Sequence, residues 1–358
     1  MKQYFLVCTL IVCSTGLFGQ SNGKISGYMF GDYFYNIFRD NNIDSLGNVI
    51  LPGKKDFNGF QFRRIYFTYD YKISETFDTR FRIEADQLAN TSNGKIGVAL
   101  KDAYLKWKNI FDGSDIILGL QPQPAFEISE AIWGFRSLEK TILDLRGIVP
   151  SRDLGISLKG MFDNSGNINY WVMIGNNSGN SPEIDKYKRF YGHLYFKPLT
   201  NFYVTVYGDL KIRPSLKVNS VTLNNNDITT ALFAGYSEKD IFSVGVESFL
   251  QIRENGFFEQ GATSLIYQTK NALGISAFGS YNFSSMIGAV VRFDHFDPNI
   301  DSDFKGDSRN FYILSLVFKP EAAVSIMPNL LYETYESTNG NNYDASVTGR
   351  ITFYYSFL

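Results

Sequence analysis

The chain has 358 residues and a formal net charge of −2, so it lacks the basic surplus that nucleic-acid binders carry. Tyrosine (23) and phenylalanine (32) are abundant although mean hydropathy is −0.14, a combination that aromatic girdles on a polar-lined barrel produce. With two cysteines, both within the first thirteen residues, and two histidines, disulfide, thiolate and metal chemistry have little to build on.

Lys2 precedes an apolar run from Tyr4 to Val12, and small residues Ser14, Thr15 and Gly19 follow, which is the pattern of a secretory signal peptide. The run is too short to cross a bilayer as a helix. Residues 1–19 are therefore expected to be removed near Gly19 or Gln20, and residues 20–358 to form the mature protein without cysteine. A lipoprotein signal is the rival, since Leu10 stands three residues before Cys13, but the bulky Val12 occupies a place that needs a small residue. The rest of the chain has no run of about eighteen apolar residues, so it enters a membrane only as a closed β-barrel.

From Lys24 onward, segments of alternating apolar and polar residues are separated by connections that are in turn short and long, the signature of a transmembrane antiparallel barrel. The split is clear at Ile65, Phe67 and Tyr69 against Arg64, Tyr66, Thr68 and Asp70, and again at Phe81, Ile83 and Ala85 against Arg80, Arg82, Glu84 and Asp86. It recurs at Phe202, Val204, Val206 and Leu210 against Tyr203, Thr205, Tyr207, Asp209 and Lys211, and at Phe242, Val244, Val246 and Leu250 against Ser243, Glu247, Gln251 and Arg253. In the last segment Ala345, Val347, Ile351, Phe353, Tyr355 and Phe357 oppose Asp344, Ser346, Thr348, Arg350, Thr352 and Ser356.

Short turns are predicted at Ser74–Asp78, Phe111–Ser114, Asp163–Gly166, Pro198–Asn201, Ser237–Asp240, Ser284–Ser285 and Pro320–Glu321, on the periplasmic side. Long connections are predicted at Arg39–Asn58, Pro122–Ser151, Pro214–Asn226, Glu254–Asn271 and Asp297–Ser308, on the outer face. Seven turns and eight loops join sixteen strands, an even number that returns both termini to the periplasm; fourteen or eighteen are the alternatives. Leu265, Ile266 and Tyr267 are read as loop, which keeps the parity. A soluble β-sandwich or propeller is the bland alternative, but it leaves the aromatics beside a signal peptide unexplained, and no blade-length repeat is visible.

Taking the polar face as inward, the basic lining is Arg64, Arg80, Arg82, Lys106, Lys108, Lys159, Arg189, Lys211, Arg213, Arg253, Arg292 and Arg350. The acids are Asp70, Glu84, Asp86, Asp102, Asp209, Glu247, Asp294 and Asp344. Such an excess of cations lowers the barrier for anions, an effect screened by salt. The competing reading is that these groups pair across neighbouring strands and only rigidify the wall. The third outer connection, Pro122–Ser151, is long enough to fold inward and form a constriction, with Glu127, Trp133, Arg136, Lys140 and Arg146 as its candidate residues. An outward loop that contacts neighbouring subunits or surface sugars is the alternative.

The stretch Gly59–Asp70 (GFQFRRIYFTYD), the turn Leu118–Pro124 (LGLQPQP), Arg152-Asp153-Leu154-Gly155, and Arg292-Phe293-Asp294 followed by Asp297-Pro298 carry a resemblance that spans nearly the whole mature chain. With them the sequence resembles the phosphate-selective porin O and P family in its Bacteroidetes form. The resemblance implies a sixteen-stranded barrel, commonly a homotrimer, whose third loop folds inside and whose arginine ladder and lysines pass anions. Arg64, Arg80, Arg82 and Arg292 match positions that could serve as ladder. The lysine cluster expected near the constriction is absent, because Arg136, Lys140 and Arg146 stand among four acids.

No enzymatic constellation emerges: His193, beside Tyr191 and Tyr195, has no nucleophile to serve, and His295 lies far away in sequence. Asp297, Asp301, Asp303 and Asp307 have the oxygen density that calcium takes but not the ligand spacing of a calcium hand. No cofactor or metal is expected. The sequence thus predicts an outer-membrane diffusion channel with a mild preference for anions, among which the resemblance suggests phosphate, partnered by membrane lipid, lipopolysaccharide and small hydrophilic solutes. A non-conducting barrel acting as scaffold or adhesin is the alternative.

Overall fold

The computed structural model describes residues 22–40, 53–218, 220–260, 265–301, 307–337 and 342–357; the expected signal peptide and Asp303 lie outside them. Sixteen antiparallel strands close into one barrel. In chain order these are β1 (Gly23–Phe38), β2 (Asn58–Lys72), β3 (Phe77–Asn90), β4 (Ile96–Phe111), β5 (Ser114–Pro122), β6 (Arg152–Met161), β7 (Ile168–Gly175), β8 (Arg189–Leu199) and β9 (Phe202–Lys211). A two-stranded hairpin, β10 (Leu216–Val218) and β11 (Val221–Leu223), follows in the next long connection. The ring continues with β12 (Asp227–Glu238), β13 (Phe242–Gln260), β14 (Leu265–Asn282), β15 (Ile287–Asp297), β16 (Arg309–Glu321), β17 (Val324–Tyr335) and β18 (Ser346–Phe357), which pairs with β1. The ring leaves no free edge, as a bilayer requires of strands.

All seven predicted turns fall at junctions of consecutive strands, Pro320–Glu321 as the last two residues of β16, and several show why the chain reverses there. Asn201 and Asp240 take left-handed backbone at φ 64 and 62, which short polar side chains tolerate best after glycine. At the β6–β7 turn the Asp163 carboxylate accepts the backbone N–H groups of Ile168 (2.8 Å) and Asn167 (3.1 Å), standing in for a missing strand partner.

The two faces divide as the alternation predicts. On β18 the inward Ser346, Thr348, Arg350 and Thr352 are buried, while Ile351 and Tyr355 point outward, 51% and 39% exposed. Two expectations need correction. The span 254–271 is not mainly loop: β13 and β14 continue their ladder from Phe257↔Gln268 to Gln260↔Leu265, after a bulge in which Asn255 takes φ 50. The bulge breaks the period of two, so the sequence reads as irregular there. Leu265–Tyr267 lengthen β14 and add no strand, which preserves the count. Second, the inner face of β12 to β17 is not uniformly polar, for Phe233, Phe278, Val290, Phe311, Ile313, Val317, Met327 and Leu331 all lie on it and are buried.

What covers those side chains is the connection after β5. It contains a 3-10 turn (Pro124–Phe126), helix α1 (Glu127–Trp133) and helix α2 (Ile142–Leu145). Ile132, Trp133 and Leu138 complete one apolar cluster with β12 and β14 to β17. Ala125, Phe126, Ile142, Leu143 and Val149 complete a second with Met173, Tyr191, Tyr207, Ala231, Phe249, Ala272 and Phe296. A wall that would otherwise expose large apolar groups to lumen water buries them under this segment, at roughly 1.5–3 kcal/mol for each large side chain.

Candidate functional site

Local chemistry fixes the shape of this loop. Gln123 caps the 3-10 turn by accepting the N–H of Ala125 at 2.8 Å, and Pro124 starts it where no N–H is needed. Gly134 ends α1 in a left-handed conformation at φ 68, its N–H donating to the Glu130 carbonyl. The Trp133 indole N–H then donates to the Glu139 carbonyl at 2.8 Å, folding residues 134–139 back on the helix.

Arginines on distant strands hold the loop by its carbonyls. Arg63 on β2 donates to Ser137 and Leu138 at 2.8 and 3.1 Å, and Arg350 on β18 donates to Leu138 at 2.8 Å. Arg292 on β15 donates to Lys140 O at 2.5 Å, and Arg189 on β8 reaches Ile148 O at 3.4 Å. Arg146, from the loop itself, reaches back to Glu333 on β17 at 3.1 Å. Each wall guanidinium is also tied to its own partner: Arg189 to Asp209 at 2.7 and 2.9 Å, Arg292 to Asp294 at 2.8 and 2.6 Å, and Arg350 to Asn329 at 3.0 Å. These three, expected to line open water, are instead buried beneath the loop.

Free space remains on the other side. A cavity of about 590 Å³ lies between the loop and the wall of β3 to β7. Its cations are Arg80, Lys106, Arg136, Arg152 and Lys159, and its acids are Glu127 and Glu130 on α1. The acids sit on the loop and most cations on the wall, which sets a transverse field across the cavity. Pairing tempers it. Arg80 is bidentate to Asp70 (2.6 and 3.1 Å), Lys106 stands 3.5 Å from Asp115, Arg152 pairs with Asp102 and Lys159 with Glu127. Arg136 is held more loosely, 3.3 Å from Asp144 and 3.7 Å from Glu130.

The other expected residues are distributed as follows. Arg64 pairs with Glu84 and, at 2.8 Å, with Asp86; Arg82 donates to Thr68 at 2.7 Å and lies 3.5 Å from Asp102. Lys108 binds Asp78 at 2.9 Å beside the β2–β3 turn. Lys211 and Arg253 flank Asp227 at the outer ends of β9 and β13, Arg253 at 3.6 Å from it. Lys140 contacts Asp144 at 3.5 Å, and Trp133 is packed rather than lining, 1% exposed against Phe278.

Several inward cations were not in the expected set, Arg63, Lys101 and Arg152 among them. Arg63 and Lys101 are reversed by bulges: the ladder skips Arg63 between Arg64 and Phe62, and skips Lys101 between Asp102 and Leu100. Two consecutive charged residues then share the lumen side at each place, and Lys101 binds Glu84 at 2.7 Å. Arg152, the third, starts β6 beside the loop's exit. The signal for the first two is the doublet itself, Arg63-Arg64 and Lys101-Asp102, which no strictly alternating strand with a lipid face accommodates.

No protein-family model matches the chain, and no curated protein matches it at the sequence level. Solved structures do match in fold. The outer membrane channel DcaP of Acinetobacter baumannii superposes with a TM-score of 0.66 at 10% identity, covering 94% of this chain and 97% of that one. An anion-selective porin from Comamonas acidovorans gives 0.63 at 10% identity, covering 94% and 99%. OmpF of Salmonella typhi, solved with daunomycin, gives 0.63 at 11% identity, covering 95% and 99%. The chain has the sixteen-stranded barrel fold of these bacterial porins.

Proposed function

We propose that the protein is an outer-membrane porin through which small hydrophilic solutes diffuse passively, with a mild preference for anions. The observation that carries this reading is the cavity of about 590 Å³ beside the packed loop, read as the bore, with five cations and two acids on its lining. Lowering the barrier for an anion needs cationic groups that replace part of its hydration, and the pairing of most of them keeps the preference mild. Similarity to an anion-selective porin in fold supports it further. A mechanism of this kind has no catalytic step; bore and potential select. The loop is the constriction, Arg136 and Arg152 are its main field residues, and phosphate is one anion that the family resemblance suggests. Export by the N-terminal signal, insertion among membrane lipid and lipopolysaccharide, and assembly as a homotrimer complete the reading.

Purified protein in a planar bilayer tests it. Discrete conductance steps in KCl and a reversal potential of anionic sign are expected, moving toward cation selectivity in Arg136→Glu with Arg152→Glu. A folded barrel that passes no current would be a scaffold or adhesin, and an unchanged reversal potential would remove these two residues from the field.

A further inference from the structure

On the periplasmic side of the loop lies a second cavity of about 670 Å³, bordered by the turns that follow β8, β12 and β16. Rings dominate its upper wall: Tyr28, Tyr203 and Tyr354 from the strands and Phe135 from the loop. These rings face the lumen, so anchoring at the lipid interface does not account for them. Tyr28 and Tyr354 stand 5.9 Å apart between centroids at 38°, and Tyr66 backs Tyr28 at 4.7 Å, a patch held in place by its own packing. Among the described residues the hydroxyls of Tyr28 and Tyr203 bond no protein group.

The cavity is also charged in one place. Lys239 and Lys319 are offset by Glu238 and Asp240 near the turns, while Arg136 lines both this cavity and the bore. Its two ion-pair contacts occupy two of the five donors of a guanidinium, which leaves donors for a ligand.

We propose that this vestibule docks an acidic sugar, a cyclic hydroxylated organic anion, whose carboxylate or phosphate meets Arg136 while its ring face lies on Tyr28 and Tyr354. The proposal rests on the pore reading and names the solute class that such a pore retains longest. A ring-bearing solute gains contact with flat aromatic faces that an open-chain one of equal charge does not, and the volume suits a compact ligand, since small-molecule sites span about 300–1,000 Å³. The free tyrosine hydroxyls supply partners for sugar hydroxyls.

Calorimetry on the detergent-folded full chain compares galacturonate with gluconate, which has the same charge and one more hydroxyl but lacks the ring. Galacturonate is expected to bind about tenfold more tightly, a ratio that two ring contacts can provide. Tyr28→Ala with Tyr354→Ala should bring the two affinities together, and Tyr28→Phe with Tyr354→Phe should keep most of the ratio. Equal affinities in the unaltered protein, or a ratio that survives the alanine pair, overturns the proposal. Should the alanine pair not fold, Tyr28→Leu and Tyr354→Leu, each alone, must lower the ratio. Conductance in KCl separates the two readings: a protein that conducts without preferring galacturonate keeps the pore and loses the site, and one that binds galacturonate without conducting does the reverse.

Discussion

Arg63 Nη1 holds the carbonyl of Leu138 at 3.1 Å, and Arg350 Nη2 holds the same oxygen at 2.8 Å from the opposite side of the β1–β18 seam. One loop carbonyl is thus clamped by two guanidiniums from strands on either flank of β1. Glu139, the next residue, lies 3.8 Å from Arg63 and 3.9 Å from Arg350, so its carboxylate balances their charge.

Removing both clamps with Arg63→Ala and Arg350→Ala should free residues 137–139 while leaving the barrel closed. Single-channel records are expected to show new conductance substates and more open-channel noise than the unaltered protein. A quiet single level in the double variant would mean that the apolar clusters alone hold the loop.

Arg292→Ala tests a different cost. Asp294 is fully buried and its bidentate partner is Arg292, so the variant leaves an uncompensated carboxylate and should lose about 3–5 kcal/mol. Thermal loss of the compact form on a denaturing gel, read as a lower transition temperature, checks this. Arg292→Lys restores charge but not the two-pronged geometry and should recover only part of the loss.

How much of this arrangement was legible depends on the periodicity. Where one face meets lipid and the other water, as in β9 and β18, alternation gives both the strand and its inward residues. The run from Phe311 to Phe318 is apolar at nearly every position, the sign of a strand covered on both faces, and it marks where the loop docks. The length of Pro122–Ser151 suggested an inward fold, but not which wall it would cover, because that depends on contacts between residues far apart in sequence. The bulges at Arg63, Lys101 and Asn255 escape a reading by strict alternation, because each inserts one or more residues and shifts the phase of everything after it; only the charged doublets at the first two mark them.

Gly119, Gly155 and Gly175 lie side by side across β5, β6 and β7. A Cβ on Gly155 would come within 2.1 Å of the Ile174 carbonyl oxygen and 2.8 Å of the Gly175 Cα, both backbone atoms that cannot step aside. Gly155→Ala should cost about 1–3 kcal/mol and lower the yield of folded barrel. Gly192→Ala, whose added carbon meets nothing nearer than 3.8 Å, should fold normally and serves as the control.

The β6–β7 turn predicts a pH dependence. Backbone N–H groups, that of Ile168 foremost, hold the Asp163 carboxyl below its ordinary range. A lowered pKa in the folded state contributes stability above the unfolded value, near 4, and loses it as pH falls through the folded value. The stability difference between the unaltered protein and Asp163→Asn should therefore be full at pH 7 and shrink progressively below about pH 4. Urea unfolding at pH 7 and pH 3 measures it, and a difference that grows on acidification would contradict the assignment.

The clamp on Leu138 also orders events during assembly. Arg350 and Leu138 are 212 residues apart, and Arg146 and Glu333 are 187 apart, so neither contact can form until the last strands have been added. Contacts of such separation close late, after their loop entropy has been met by other pairings. Closure of the ring through β1 and β18 and clamping of the Leu138 carbonyl therefore belong to one late step, because the strand that seals the barrel is the one that carries Arg350. A chain that lacks β18 would leave both the seam and the loop unfastened.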